Sequence, residues 1–347
     1  MGTSHVDWVP PERFAEYQLI KALGRGSMGQ VWLAHDAMLD RLVAVKFVSE
    51  LPDHEAVRER FLTEARAAAR VQHPNVIAIY RVGEIGARPY LISEYVRGDS
   101  LDRIARPVAW PRILDIAIGL ARGLAAAHLR GVLHRDLKPA NAILSDTGDV
   151  KLLDFGLAKL VAHAQPPTAV APGQSASIPG LAGDPTIPPP AASDQVAPSP
   201  RSDRPTQIAE AGVATTGATR ETTMATGTSA VPQLASSIAA LGTPTYTPPE
   251  VWCGAPATTR GDVYSLGTLL YELAAGAPPH RGDSQETVRS SVVGTDAPLL
   301  AAAAPGIDPR FAAIVDRCLR RDPDERFASE ALRDALEALA SGAPDAA

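Results

Sequence analysis

The stretch that most limits how this chain can fold is His134-Arg135-Asp136-Leu137-Lys138-Pro139-Ala140-Asn141. It is followed, after the apolar run 150–153, by Asp154-Phe155-Gly156. A proline inside a helix removes a hydrogen bond and clashes with the preceding turn, so Pro139 argues against a regular helix here. The expected structure is a loop presenting a carboxylate, an ammonium and an amide, then a strand. Asp136 can orient a hydroxyl nucleophile, Lys138 can offset phosphate charge, and Asn141 can hold a metal, a set suited to phosphoryl transfer. Asp154 adds a hard oxygen of the kind Mg²⁺ prefers. Either stretch alone could be a polar turn; both in this order and spacing are far more specific.

Together they resemble the catalytic loop and metal-binding segment of the eukaryotic-type protein kinase family, in a bacterial-like soluble form. Lys138-Pro139 resembles its serine/threonine branch. The resemblance implies an α+β fold of two lobes: a small antiparallel-sheet lobe with one helix (17–93) and a larger, mainly helical lobe (94–339). An N-terminal extension (1–16) and a tail (340–347) would flank them. It implies catalytic roles for Asp136 and Lys138, and Mg²⁺ ligands at Asn141 and Asp154.

In chain order, 17–23 reads as a strand leading into Gly24-Arg25-Gly26-Ser27-Met28-Gly29-Gln30-Val31. Such glycines let backbone amides approach phosphates, but the spacing is shared with Rossmann domains. A Rossmann fingerprint opens a helix; here 31–34 reads as a second strand, so the glycines belong to a hairpin. The third strand, 43–47, carries Lys46 among apolar residues. It could be a snorkelling lysine; the resemblance makes it a contact to the α- and β-phosphates of ATP. Its implied partner is Glu64 on the helix 55–71, where Phe61 and Ala65 flank it as in the family pattern, with Glu59 the alternative acid. The resemblance also assigns Leu23, Ala44 and Ile143 to the adenine pocket, and Glu94 and Val96 to a hinge. Ser93, before the hinge, is small where the family has bulkier residues, so the pocket behind the adenine site is expected to be more open. Asp102 is either a ribose or substrate contact or, more simply, a carboxylate at a helix N-terminus. The apolar spacing of 111–130 predicts the central core helix of the large lobe.

Residues 163–237 contain no Phe, Trp or Tyr and are dominated by Pro, Ala, Ser, Thr and Gly. Such a segment cannot bury enough apolar surface to offset its ordering entropy. It is expected to be a disordered insertion in the activation segment, either a passive spacer or a self-phosphorylated element. Ser236 and Ser237 lie where the family's activating phosphosites occur, and Arg135 could pair such a phosphate. Beyond it, 242–250 resembles the end of the activation segment. Thr243 would contact Asp136 and Lys138 and help hold a serine or threonine substrate. Glu250 would pair structurally with Arg326, and Asp262 would anchor the catalytic loop.

The chain of 347 residues carries a net charge of −6 from 33 basic and 39 acidic residues. It has no dense Lys/Arg block, so neither nucleic acid nor an anionic membrane is an expected partner. Cys253 and Cys318 are expected to be free thiols in a reducing cytosol. Residues 1–12 do not resemble a signal peptide. The run 109–129 is interrupted by Arg112, Asp115, Arg122 and His128, so no membrane span is expected and the location is expected to be cytoplasmic. The implied cofactors are ATP and Mg²⁺; the implied partners are proteins phosphorylated on serine or threonine, this chain among them. A catalytically dead scaffold is disfavoured because Lys46, Asp136, Asn141 and Asp154 are all present. An aminoglycoside phosphotransferase would lack 243–250 and Lys138-Pro139. An interaction module in which the Pro-rich insert (163–237) recruits partners through extended segments can coexist with catalysis. Ala140 replaces an acid found in some kinases that prefer basic peptides, which lowers the expectation of that preference.

Overall fold

The computed structural model describes residues 8–26, 29–48, 55–86, 88–155 and 244–342. The expected insertion at 163–237 lies outside them, as do Ser27, Met28, Gly156 and Thr243.

The small lobe is an antiparallel sheet of β1 (Arg13–Phe14), β2 (Tyr17–Gly26), β3 (Gly29–Asp36), β4 (Arg41–Val48), β5 (Ile79–Ile85) and β6 (Arg88–Glu94). Its order is β1-β2-β3-β4-β6-β5. Alternation sorts β4 into two faces. Val43, Val45 and Phe47 are buried against Tyr17, Tyr90 and Ile92, while Ala44 and Lys46 face the other way. Helix α1 (Glu55–Ala69) lays Phe61 and Ala65 on Val48 and Leu91.

Residues ahead of Tyr17 take part in this lobe. The Trp8 ring lies 5.2 Å from Phe47, and Phe14 lies 5.0 Å from Tyr90. Arg88 stacks over Trp8 at 4.4 Å. The core of the small lobe therefore draws on side chains between Trp8 and Phe14, ahead of Tyr17. Two isolated aromatic residues in a polar, proline-containing stretch carry no periodic signal, yet they cover an apolar sheet face.

The large lobe contains a second sheet, β7 (Gly98–Ser100), β8 (Ala142–Ser145) and β9 (Val150–Leu152) in that order. Its helices are α2 (Trp110–His128), α3 (Pro249–Trp252), α4 (Thr259–Ala275), α5 (Gln285–Gly294), α6 (Leu300–Ala303), α7 (Pro309–Cys318) and α8 (Ser329–Ala340). Helix α2 buries Ile113, Ile116, Leu120 and Leu124, but α4 is the more enclosed: every residue from 261 to 274 is buried. Polar residues hide this in the sequence. They are satisfied internally, with Ser265 donating to Tyr246 O at 2.8 Å and Thr268 to Tyr264 O at 3.2 Å. The Thr258 hydroxyl caps the N-terminus of α4, accepting from Gly261 N–H.

The loop after α1 joins the lobes. Leu152 N–H donates to Asn75 O and Ile77 N–H to Leu152 O, each at 2.9 Å. Gly123 of α2 allows this approach, because a Cβ there would lie 2.6 Å from Asn75 O. Among the described residues no helix is long and apolar enough to cross a membrane.

Candidate active site

Asp262, in the first turn of α4, shapes the loop 134–141 from beneath. Its carboxylate accepts from the backbone N–H groups of His134 and Arg135, both at 2.7 Å, and contacts His128 Nε2 at 2.9 Å. Arg135 is thereby held at φ 63, a left-handed conformation uncommon for a non-glycine residue. Burial alone would raise the Asp262 pKa; the bonds and charges of His128 and His134 outweigh it and hold the pKa below its ordinary value. A depressed folded pKa means that this stabilisation is complete above the ordinary carboxylate range and is lost as the pH falls through the folded value.

The turn places Asp136, Lys138 and Asn141 together. Lys138 Nζ lies 2.9 Å from Asp136 Oδ2. Asn141 Nδ2 donates to the same oxygen at 2.9 Å and to Asp136 O at 2.8 Å. Pro139 opens a short 3₁₀ turn, 139–141, at a position where no N–H is needed. Asp136 is buried, 6% exposed; its surroundings leave it little freedom to turn away.

Leu153 N–H donates to Asn141 O at 2.9 Å, which brings the next residue, Asp154, beside the loop. Asp154 has φ 50 and sends Oδ2 to Lys46 Nζ at 2.7 Å. Phe155 is buried, its ring 4.9 Å from that of His134. The expected Lys46–Glu64 pair is not formed: Glu64 contacts Arg135 Nη1 at 3.2 Å. The left-handed turn at Arg135 carries its guanidinium to α1, where it takes the carboxylate assigned to Lys46, and Lys46 engages Asp154. The alternative acid, Glu59, is exposed. Among the described residues no three His, Cys, Asp or Glu side chains converge as a metal cage. Asn141 and Asp154 offer a partial oxygen set, as Mg²⁺ uses when phosphates and water complete its shell.

These groups lie at one side of a cavity of about 320 Å³. Leu23, Gly24, Val31 and Ala44 line it from the small lobe, Lys46 and Asp154 at the polar end, Glu94 and Val96 at the hinge, and Ile143 on the large-lobe side. Arg25, Gly29 and Gln30 do not line it among the described residues. The Gln30 amide turns outward, donating to Trp8 O at 3.1 Å and accepting from Trp32 Nε1 at 3.1 Å. Tyr95, between the two hinge residues, lines the cavity as well; the sequence reading missed Ile77, Gly98, Ser100, Arg103, Ala140 and Leu153 as lining residues. Ser100 arrives because β7 pairs with β8, opposite Ile143. Gly98 permits that pairing: it has φ 147, and a Cβ there would lie 2.1 Å from Leu144 O.

Away from the cavity, Glu250 and Arg326 are joined by two 2.8 Å bonds. A further buried group, unassigned from sequence, lies on α4, where Glu272 is bonded to both Tyr246 Oη and Arg106 Nη1. Burial, then the Glu272 carboxylate, push the Tyr246 pKa far up.

The protein kinase domain family matches residues 17–174 and 225–337 of this chain. A probable serine/threonine-protein kinase of Streptomyces coelicolor is 31% identical over 337 residues, covering 94% of this chain and 40% of the relative. Serine/threonine-protein kinase PknB of Mycolicibacterium smegmatis is 30% identical over 340 residues, 95% of this chain and 44% of the relative. PknH of Mycobacterium tuberculosis is 30% identical over 320 residues, 91% and 40% respectively. The chain thus spans about two fifths of the length of these relatives.

Proposed function

Since this chain belongs to the protein kinase family, we propose that it transfers the γ-phosphoryl group of ATP to serine and threonine hydroxyls of proteins, its own among them. The supporting observation is the convergence of Asp136, Lys138 and Asn141 in one hydrogen-bonded cluster, with Asp154 and Lys46 in contact at the neighbouring end of an apolar-walled cavity.

Leu23, Val31, Ala44 and Ile143 enclose the adenine, with hinge backbone at Glu94 and Val96 at its edge. Lys46 reaches the phosphates from β4. Asn141 and Asp154 would hold Mg²⁺, which when bound neutralises charge on the phosphates. Asp136 accepts a hydrogen bond from the substrate hydroxyl, orients it and takes its proton as the new O–P bond forms and the bond from the γ-phosphorus to the bridging oxygen breaks, with ADP leaving. Lys138 sets its positive charge beside the transferred group. The backbone bonds from Asp262 keep this loop fixed, so rate comes from positioning and charge rather than covalent chemistry.

Purified protein incubated with labelled ATP, Mg²⁺ and casein tests the proposal. Phosphoserine or phosphothreonine on casein or on the chain is expected by mass spectrometry; no label on either argues against it. Ser93 yields a further prediction. It pairs with Ala44 across β4 and β6 and lines the cavity. Purine analogues with a bulky substituent toward Ser93 should inhibit the natural chain about tenfold or more better than Ser93→Met, because filling that space forces a steric penalty. Equal inhibition curves would remove the open-pocket assignment.

A further inference from the structure

Glu94 is both the last residue of β6 and the first of the hinge. Its backbone N–H donates to Ala78 O at 2.9 Å. Its carboxylate is held by a residue that neither the sequence motifs nor the cavity lining point to: Lys151 Nζ lies 2.9 Å from Oε1 and 3.1 Å from Oε2. The Ala78 N–H approaches Oε2 at 3.4 Å.

Lys151 is the middle residue of β9. Strand alternation buries Val150 and Leu152 in the core and turns Lys151 to the opposite face, toward the junction of the lobes. Lys151 is also the register partner of Ile143, which lines the cavity. One ammonium therefore links the strand behind the cavity floor to the residue where its hinge edge begins. Both side chains are partly exposed, 18% for Lys151 and 27% for Glu94, and such a pair adds little to global stability. What it fixes is position: the hinge backbone relative to the floor.

The geometry points to Lys151 as a positioning residue for nucleotide binding, one that sets affinity for the adenine end of ATP by holding Glu94. This deepens the proposed kinase reading and rests on it. The effect should fall on binding, because Lys151 is directed at the hinge and away from the cluster around Asp136.

The test uses the full chain in five forms: natural, Lys151→Met, Lys151→Arg, Glu94→Gln and the Lys151→Met/Glu94→Gln double variant. In Lys151→Met the KM for ATP should rise about three- to fivefold, the yield of one partly exposed ion pair, with kcat within twofold. The inhibition constant of adenosine, which has no phosphates, should rise by the same factor. Lys151→Arg should recover most of the loss, Glu94→Gln should match Lys151→Met, and the double variant should be no worse than either. An unchanged KM, an unchanged adenosine constant, or effects that multiply in the double variant would overturn the assignment. A natural chain that binds neither ATP nor adenosine would instead bring down the kinase reading itself. Thermal unfolding of each variant separates hinge placement from loss of fold.

Discussion

Asp136→Asn should lower phosphoryl transfer to protein hydroxyls by about 10²- to 10⁴-fold, the range that a positioned general base supplies. Nucleotide affinity should stay within about threefold, since Asp136 does not line the cavity. The substitution is nearly isosteric, and the loop is held by other bonds: Asp136 N–H donates to His134 O at 2.8 Å, and Asn141 Nδ2 donates to Asp136 O at 2.8 Å. What disappears is the carboxylate that contacts Lys138 and could take a proton. Initial rates with labelled ATP, binding of a fluorescent ATP analogue and thermal unfolding measure the three quantities separately. A variant that keeps activity within tenfold of the natural chain would mean that Asp136 is not the proton acceptor. A variant that loses nucleotide binding would mean that the cluster and the cavity are one unit.

The chemistry of this site is legible in the sequence because its parts are contiguous. Six residues, 136–141, carry Asp136, Lys138 and Asn141 into one turn, and only the hairpin of β8 and β9 separates them from Asp154. Strand alternation around Lys46 likewise indicates which face it occupies. Less legible is which charge meets which. Glu64, Lys46, Arg135 and Asp154 are two acids and two cations at the same junction, and sequence pattern alone cannot decide between two pairings of similar Coulomb energy. The structure couples Glu64 with Arg135 and Lys46 with Asp154, an outcome set by backbone conformation, since both Arg135 and Asp154 sit at positive φ. The glycine-rich hairpin is a second instance. The resemblance assigns all of 24–31 to nucleotide binding, but it does not reveal that the Gln30 side chain bonds the Trp8 carbonyl. Helix α4 is a third. Asp262, Ser265, Thr268 and Glu272 give it a polar appearance, and its burial depends on partners as distant in sequence as Arg106 and His134.

Arg326→Met should cost about 3–5 kcal/mol of stability, the penalty for removing one member of a buried ion pair. Arg326 is 1% exposed, and all five of its N–H groups have acceptors. Nη1 and Nη2 each bond Glu250 at 2.8 Å; Nε bonds Arg320 O at 2.7 Å; Nη1 and Nη2 bond Arg260 O and Arg321 O at 3.0 Å. The Tyr264 ring lies 4.9 Å from the guanidinium carbon. A methionine fills part of the volume and supplies none of those donors, so one carboxylate and three carbonyls are left without them. Glu250→Gln should also destabilise, because it leaves the guanidinium buried without its counter-charge. The double variant should lose less than the sum of the two, since each single change strands the other's charge. Urea unfolding of the three variants reads these differences directly. A loss below about 1 kcal/mol in Arg326→Met, the range of a surface pair, would show that the interaction ties α3 to the turn after α7 only loosely. Strict additivity would show that the two side chains act through separate neighbours. The expected coupling instead makes the pair a single joint: Glu250 lies in the first turn of α3, and Arg326 follows the turn after α7. Partial loosening of that joint should therefore lower activity at temperatures where Asp136 and its neighbours remain folded.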